Sequence, residues 1–219
     1  MFAKVSKKYS FGCNVFTALV VFTMLVDNGK QQVLERTAPE HNDKLVEGCL
    51  KGDRRAQHRF YRKYAHSMYN ISMRIVNHSG EAEDILQESF IDAFDRLKDF
   101  RMEASVGSWL KKIVVNNSVN WLRRRRINWT DIDSQELEIE DQEEGWEEIT
   151  LRVREIKEGM QQLPDGYRVV LSLYLLEGYD HEEIGRILSI KEASSRSQYL
   201  RAKRKLLEIL KCRQYGRQA

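Results

Sequence analysis

Proline is nearly absent: only Pro39 and Pro164 occur in 219 residues. Proline breaks helix interiors, so its scarcity leaves long stretches free to be helical. Cysteine is scarce too, with three residues, Cys13, Cys49 and Cys212, set far apart and with no Cys-x-x-Cys pair. That spacing supports neither a disulfide framework nor a thiolate zinc site, and it fits a reducing, cytoplasmic setting. The five histidines are scattered, and His181-Glu182-Glu183-Ile184-Gly185 lacks the second histidine of a metalloprotease helix. There is no glycine-rich phosphate loop, nucleophile elbow or Ser-His-Asp spacing. The chain reads as a non-enzyme, with no metal and no cofactor.

Long apolar runs are also missing, with one partial exception. Val15 to Val26 is apolar apart from Thr17 and Thr23, and Lys4, Lys7 and Lys8 precede it. It imitates a signal peptide or anchor but is short for a span of about 20 residues. Met24 inside it is itself a possible start. Residues 1–42 are therefore read as an extension followed by a polar linker. Membrane association through residues 15–26 is the competing reading.

What the chain has in abundance is charge, and the charge is segregated. Residues 80–100 carry seven acids against two bases, and residues 101–126 carry seven bases against one acid. Residues 131–148 carry ten acids and no base, and residues 186–219 carry ten bases and two acids. Two cationic surfaces for a polyanion, separated by anionic segments that face something else, follow from this alternation.

Apolar periodicity predicts helices almost throughout. Leu45, Cys49, Leu50, Phe60, Tyr64, Met68, Ile71 and Ile75 mark helical pattern from Asp43 to Asn77. After a turn at residues 77–80, with Ser79 as the expected cap, a helix to about Phe100 buries Leu86, Phe90, Ala93, Phe94 and Leu97. Another follows from about Ser108 to Arg126. Residues 127–148 are too acidic to form a core and read as a linker. Helices are then expected from Ile149 to Leu163, Tyr167 to Glu177, Asp180 to Leu188, and Lys191 to Leu210. The expected fold is all-α: two small helical domains, 43–126 and 149–212, joined by the acidic linker.

The C-terminal pair has helix-turn-helix character. Gly185 lets two helices approach closely, and Ser189-Ile190-Lys191 supplies the turn, with Ile190 entering the core. In the last helix Ser195, Tyr199, Ala202, Leu206 and Ile209 form the expected buried stripe. Ser194, Arg196, Ser197, Gln198, Leu200, Arg201, Lys203 and Arg204 are left as the candidate duplex-reading set. They offer phosphate binders, base-edge donors and one apolar residue. The acids that would neutralise an ordinary solvated helix are read as missing.

Three segments carry a resemblance: Leu163-Pro164-Asp165-Gly166-Tyr167-Arg168-Val169-Val170-Leu171, Glu177-Gly178-Tyr179-Asp180-His181-Glu182-Glu183-Ile184-Gly185, and Ser194 to Lys203. They resemble region four of extracytoplasmic-function (ECF) sigma factors, the domain that reads the −35 promoter element and touches the β flap of RNA polymerase. Many members have Gly-Thr where this chain has Ala193-Ser194, and Ser194 keeps a hydroxyl for a phosphate.

Glu81-Ala82-Glu83-Asp84-Ile85-Leu86-Gln87-Glu88-Ser89-Phe90 is similar to that family's region two. There, the resemblance implies, Asp84, Gln87 and Glu88 bind the β′ clamp helices of core polymerase. Ser108-Trp109-Leu110-Lys111-Lys112-Ile113, with Asn116, Asn120 and the run Arg123 to Arg126, resembles the −10 recognition helix. Met102, Lys111, Lys112, Asn116, Asn120, Arg123 and Arg124 are the candidates there, and 102–107 the loop that would hold an extruded base. Trp109 and Trp121 fit a core better than a stacking platform.

The resemblance covers about 170 residues, from Asp43 to Leu210. It implies a sigma factor whose partners are core RNA polymerase, promoter DNA and an anti-sigma factor. Two rivals remain from the residues themselves: a stand-alone helix-turn-helix regulator, and a membrane-tethered signalling protein.

Overall fold

The computed structural model describes residues 39–100, 104–125 and 153–215. The apolar run 15–26, Met102 and the acidic segment 127–148 lie outside the described residues. Eight α-helices occur among the described residues: α1 Pro39–Leu50, α2 Arg54–Val76, α3 Ser79–Arg96, α4 Val106–Arg124, α5 Val153–Gln161, α6 Asp165–Leu175, α7 His181–Leu188 and α8 Glu192–Tyr215. A short 3-10 turn, Leu97–Asp99, follows α3, and no strand occurs among these residues.

Two expectations need correction at the N-terminal end. The helical pattern from residue 43 to 77 is two helices, and α1 starts inside the segment read as linker. Gly52 at φ +74° turns the chain between them, and the Asp53 side chain accepts from the Arg55 amide at 2.9 Å, capping α2. The cap of α3 is His78 rather than Ser79, its Nδ1 accepting from the Glu81 amide at 3.4 Å.

Helices α1 to α4 build one helical unit. Phe60, Tyr64, Phe90 and Phe94 form its aromatic centre, with Phe60 4.9 Å from Tyr64 and 5.6 Å from Phe94 between ring centroids. Tilted and edge-on pairs of this kind add to the burial gain. Helix α4 lays Val106, Leu110, Val114, Ser118 and Leu122 against α2 and α3, and Ser118 Oγ donates to Val114 O at 2.7 Å while lying 3.3 Å from Ser72 Oγ.

Helices α5 to α8 form the second unit. A reciprocal capping box starts α7: Asp180 accepts from the Glu183 amide at 2.8 Å, and Glu183 accepts from the Asp180 amide at 2.9 Å. A Cβ on Gly185 would sit 2.8 Å from Ile190 O, so the turn before α8 needs glycine there. Ile156, Met160, Leu163, Leu171, Ala202, Leu206 and Leu210 make this unit's own core.

The units do not stand apart. Val169, Val170, Leu173, Ile184 and Leu188 join the apolar cluster of the first unit, and α6 lies against α2. Arg168, 3% exposed, donates to Leu163 O and, across the seam, to Ile75 O, each at 3.1 Å.

Candidate functional site

On α3 the core takes Ala82, Ile85, Leu86, Ser89, Phe90 and Ala93. Helical geometry then forces Asp84, Gln87 and Glu88 outward together, and all three are exposed. Ile91, one turn further along this face, is 63% exposed. An apolar residue so placed was not anticipated, and a polar triplet of two acids and one amide gives no signal for it.

On α4 the solvent face carries Ser108, Lys112, Asn116, Asn120 and Arg124, all exposed and four residues apart. Trp121 is committed elsewhere: its Nε1 donates to Glu81 Oε2 at 2.8 Å, and the Arg125 guanidinium lies 4.2 Å above its ring. Trp109 packs on Phe100, with centroids 5.3 Å apart. Neither indole is a free platform, as the spacing indicated.

Lys111 and Arg123 turn instead toward the second unit. Lys111 Nζ donates to Glu177 O at 2.9 Å and sits over the Tyr179 ring. Arg123 Nη2 donates at 2.8 Å to both Ile187 O and Ser189 Oγ, at the C-terminal end of α7. Carbonyls there carry the negative end of the helix dipole, which favours a guanidinium. Arg74 pairs with Glu177, whose side chain is 3% exposed, and Asn77 Nδ2 donates to Gln161 O at 2.9 Å. The seam is therefore apolar at its middle and strongly polar around it.

On α8 the buried stripe runs through Ser195, Gln198, Ala202, Leu206 and Leu210. This corrects the expected stripe, since Tyr199 and Ile209 are only half-buried. It also removes Gln198 from the duplex-reading set, because that side chain is 3% exposed. The cause is that α8 contacts α5, α6 and α7, and three neighbours bury a wider arc than one. Arg196 and Arg204 are exposed, while Ser194, Ser197, Leu200, Arg201 and Lys203 are half-buried. Arg196 Nε donates to Glu192 at 3.1 Å and Lys205 Nζ to Glu208 at 2.9 Å, so the helix does hold acidic partners of its own.

Residues 60–127 match the family model for Sigma-70 region 2, and residues 154–206 match that for Sigma-70 region 4. The RNA polymerase sigma-H factor of Pseudomonas aeruginosa is 30% identical over 175 residues, covering 75% of this chain and 91% of its own. The ECF RNA polymerase sigma-E factor of Escherichia coli is 31% identical over 170 residues, covering 73% of this chain and 88% of its own. The chain belongs to the ECF sigma factors of the sigma-70 family.

Among solved structures, the sigma factor RpoE in complex with the anti-sigma factor NepR from Bartonella quintana is similar, at 21% identity and a TM-score of 0.48. It covers 70% of this chain and 96% of its own. Within the sigma-factor frame, most of α2 and all of α3 and α4 lie in the region 2 match, and nearly all of α5, all of α6 and α7, and most of α8 lie in the region 4 match. The seam joining them rests on Arg74, Glu177 and Arg168, which sequence patterning did not single out. Arg74 and Glu177 are 103 positions apart, and no local periodicity links them. Among the described residues no helix is long and apolar enough to cross a membrane.

Proposed function

We propose that this chain carries core RNA polymerase to promoters through three surfaces on two domains, 43–126 and 149–212, with 127–148 as connector. Asp84, Gln87 and Glu88 on α3 form the polymerase contact, the Asp84 and Glu88 carboxylates being suited to arginines on a clamp-like partner. Lys112, Asn116, Asn120 and Arg124 on α4, with Lys111 and Arg123 once the seam opens and Met102 four positions before α4 in the sequence, hold the melted −10 strand. Ser194, Arg196, Ser197, Leu200, Arg201, Lys203 and Arg204 on α8 read the −35 duplex. An anti-sigma factor is the regulator that the family resemblance implies. Phosphodiester chemistry stays with the polymerase, and the cytoplasm, where the polymerase works, is the site of action.

The observation that carries this reading is the coexistence, on one small helical unit, of an outward acidic face on α3 and an outward cationic-amide face on α4. A stand-alone helix-turn-helix regulator has use for neither. Run-off transcription with purified core polymerase on a genomic promoter library tests it. Specific initiation should appear only with the added chain and should vanish when Asp84 and Glu88 are both changed to Lys. Initiation no different from core enzyme alone would reject the reading.

A further inference from the structure

His181 opens α7, and its ring touches both flanking helices. It lies flat on Tyr174 of α6, with centroids 4.4 Å apart and planes 14° apart. It meets Tyr199 of α8 near edge-on, at 5.6 Å and 64°. Its Nδ1 is 3.0 Å from Ser195 Oγ, also on α8. Tyr174 and Tyr199 are themselves 4.6 Å apart, so three rings close into one cluster. Ser195 is fully buried, and Tyr199 lies one turn further along the helix. The residues between and just beyond them, Arg196, Ser197, Leu200 and Arg201, belong to the duplex-reading set. The rotation of the first half of α8 about its axis is therefore set where the imidazole grips it.

We propose that His181 is a positioning residue for −35 recognition: it locks the N-terminal half of α8 at the angle that presents Arg196, Ser197, Leu200 and Arg201 to the duplex. The proposal rests on the reading of α8 as the −35 helix. A ring that both stacks and hydrogen-bonds fixes rotation as well as distance, which an aliphatic contact does not. The charged and titratable groups around it are Asp180 on its own helix, Arg196 and Glu192 on α8, and the phenols of Tyr174 and Tyr199. Burial holds the imidazole below its ordinary range, Arg196 pushes the same way, and Glu192 and Asp180 oppose them. The grip therefore belongs to the neutral ring, and a proton taken up there has to be accommodated by loosening it.

Two features make the test sharp. His181 is the only histidine in residues 153–215, the other four being His41, His58, His66 and His78. In addition, simple electrostatics gives the opposite sign, since an extra positive charge beside a DNA-binding helix strengthens binding to a polyanion.

The experiment uses the full chain and a duplex that it enriches from a randomised pool at about pH 7.5, with a scrambled duplex as control. Anisotropy titrations run from about pH 7.5 to about pH 5.5, bracketing the ordinary histidine range. The wild type should lose affinity for the selected duplex by roughly tenfold on acidification, the scale of one base contact, while the scrambled duplex does not weaken. His181→Phe keeps the stack and cannot titrate, so its profile should be flat.

Wild-type affinity that holds or rises on acidification overturns the proposal, and so does an equal fall in His181→Phe. Loss of the helical circular dichroism signal over the same range also overturns it, because the histidine then holds the fold and not the angle. Failure to enrich any duplex would sink the −35 reading itself, and the proposal with it.

Discussion

Replacing Arg74 with Ala should open the seam between the two domains. Glu177 is 3% exposed when the domains are together, whereas Arg74 is 31% exposed. Removing the guanidinium strands a buried carboxylate in the closed form only, because opening returns Glu177 to water. A buried charge that loses its partner costs about 3–5 kcal/mol. Water reaching the vacated, partly exposed Arg74 site screens much of this, leaving about 1–2 kcal/mol. At 1.4 kcal/mol per factor of ten, the open-to-closed ratio should rise roughly 5- to 30-fold.

Lys111 reports the change, since its ammonium donates to Glu177 O across the seam, while its neighbour Lys112 is exposed. Mass-spectrometric acetylation footprinting of the intact protein should show the Lys111-to-Lys112 ratio climbing several-fold in Arg74→Ala and staying near wild type in Arg74→Lys. An unchanged ratio in Arg74→Ala would refute the idea that this pair holds the domains together.

Four further outcomes are expected. Asp84→Lys with Glu88→Lys should weaken core polymerase binding at least tenfold with the melting temperature nearly unchanged, because both side chains are exposed; wild-type affinity by surface plasmon resonance would contradict the assignment. Gly185→Ala should cost about 1–3 kcal/mol of denaturant stability, because the new Cβ meets Ile190 O at 2.8 Å and that oxygen belongs to backbone. Burial raises the Tyr64 phenol to about 12, so the folded protein keeps a proton that the unfolded chain releases. Stability is complete below about pH 10 and should fall as pH rises through that window, and Tyr64→Phe should flatten the alkaline part of the urea midpoint curve. Arg201→Ala should erase discrimination between selected and altered −35 duplexes by about 1–3 kcal/mol, while Lys203→Ala should weaken both alike; the reverse pattern would mean that the duplex-facing arc of α8 has been drawn wrongly.

Much of the fold was legible because its signals are local. Residues Phe60, Tyr64, Met68, Ile71 and Ile75 repeat at helical spacing, and all prove buried along α2. Asp180 and Glu183 are three apart in sequence and form the capping box that such spacing allows. The acidic face of α3 was legible for the same reason, since fixing its apolar face fixes the other.

Legibility failed where burial comes from more than one neighbour. Gln198 looks like a polar surface residue on a helical wheel with one apolar face, yet α6 and α7 together cover a broader arc of α8. It failed again at Lys111 and Arg123. As members of a basic helix they look like phosphate ligands, and nothing in residues 101–126 says that carbonyls from residues 177 and 187 will reach them first. Arg168 is the extreme case: a charged residue in a region 4 motif that is 3% exposed and reaches Ile75 O in the other domain.

Those two basic residues bear on how DNA binding and domain separation relate. Arg123 places one terminal nitrogen on Ile187 O and Ser189 Oγ, and Lys111 places its ammonium on Glu177 O. These acceptors are carbonyl and hydroxyl oxygens, two of the three at or beside the negative end of α7. A phosphate offers the same cations a full charge. On the proposed reading, each N–H spent on α7 or on Glu177 is one that a phosphate does not receive, so a −10 strand would compete with the seam for these cations and lower the closed population by linkage. The converse follows on the same reading: a contact such as Arg74–Glu177, which holds the domains together from outside the −10 set, should weaken −10 binding. Arg74→Ala, which lies outside every proposed DNA surface, should therefore tighten the full chain's grip on single-stranded promoter DNA by up to the factor by which it opens the seam. A variant that opens the seam yet binds the strand no better would show that Lys111 and Arg123 serve the interdomain contact alone.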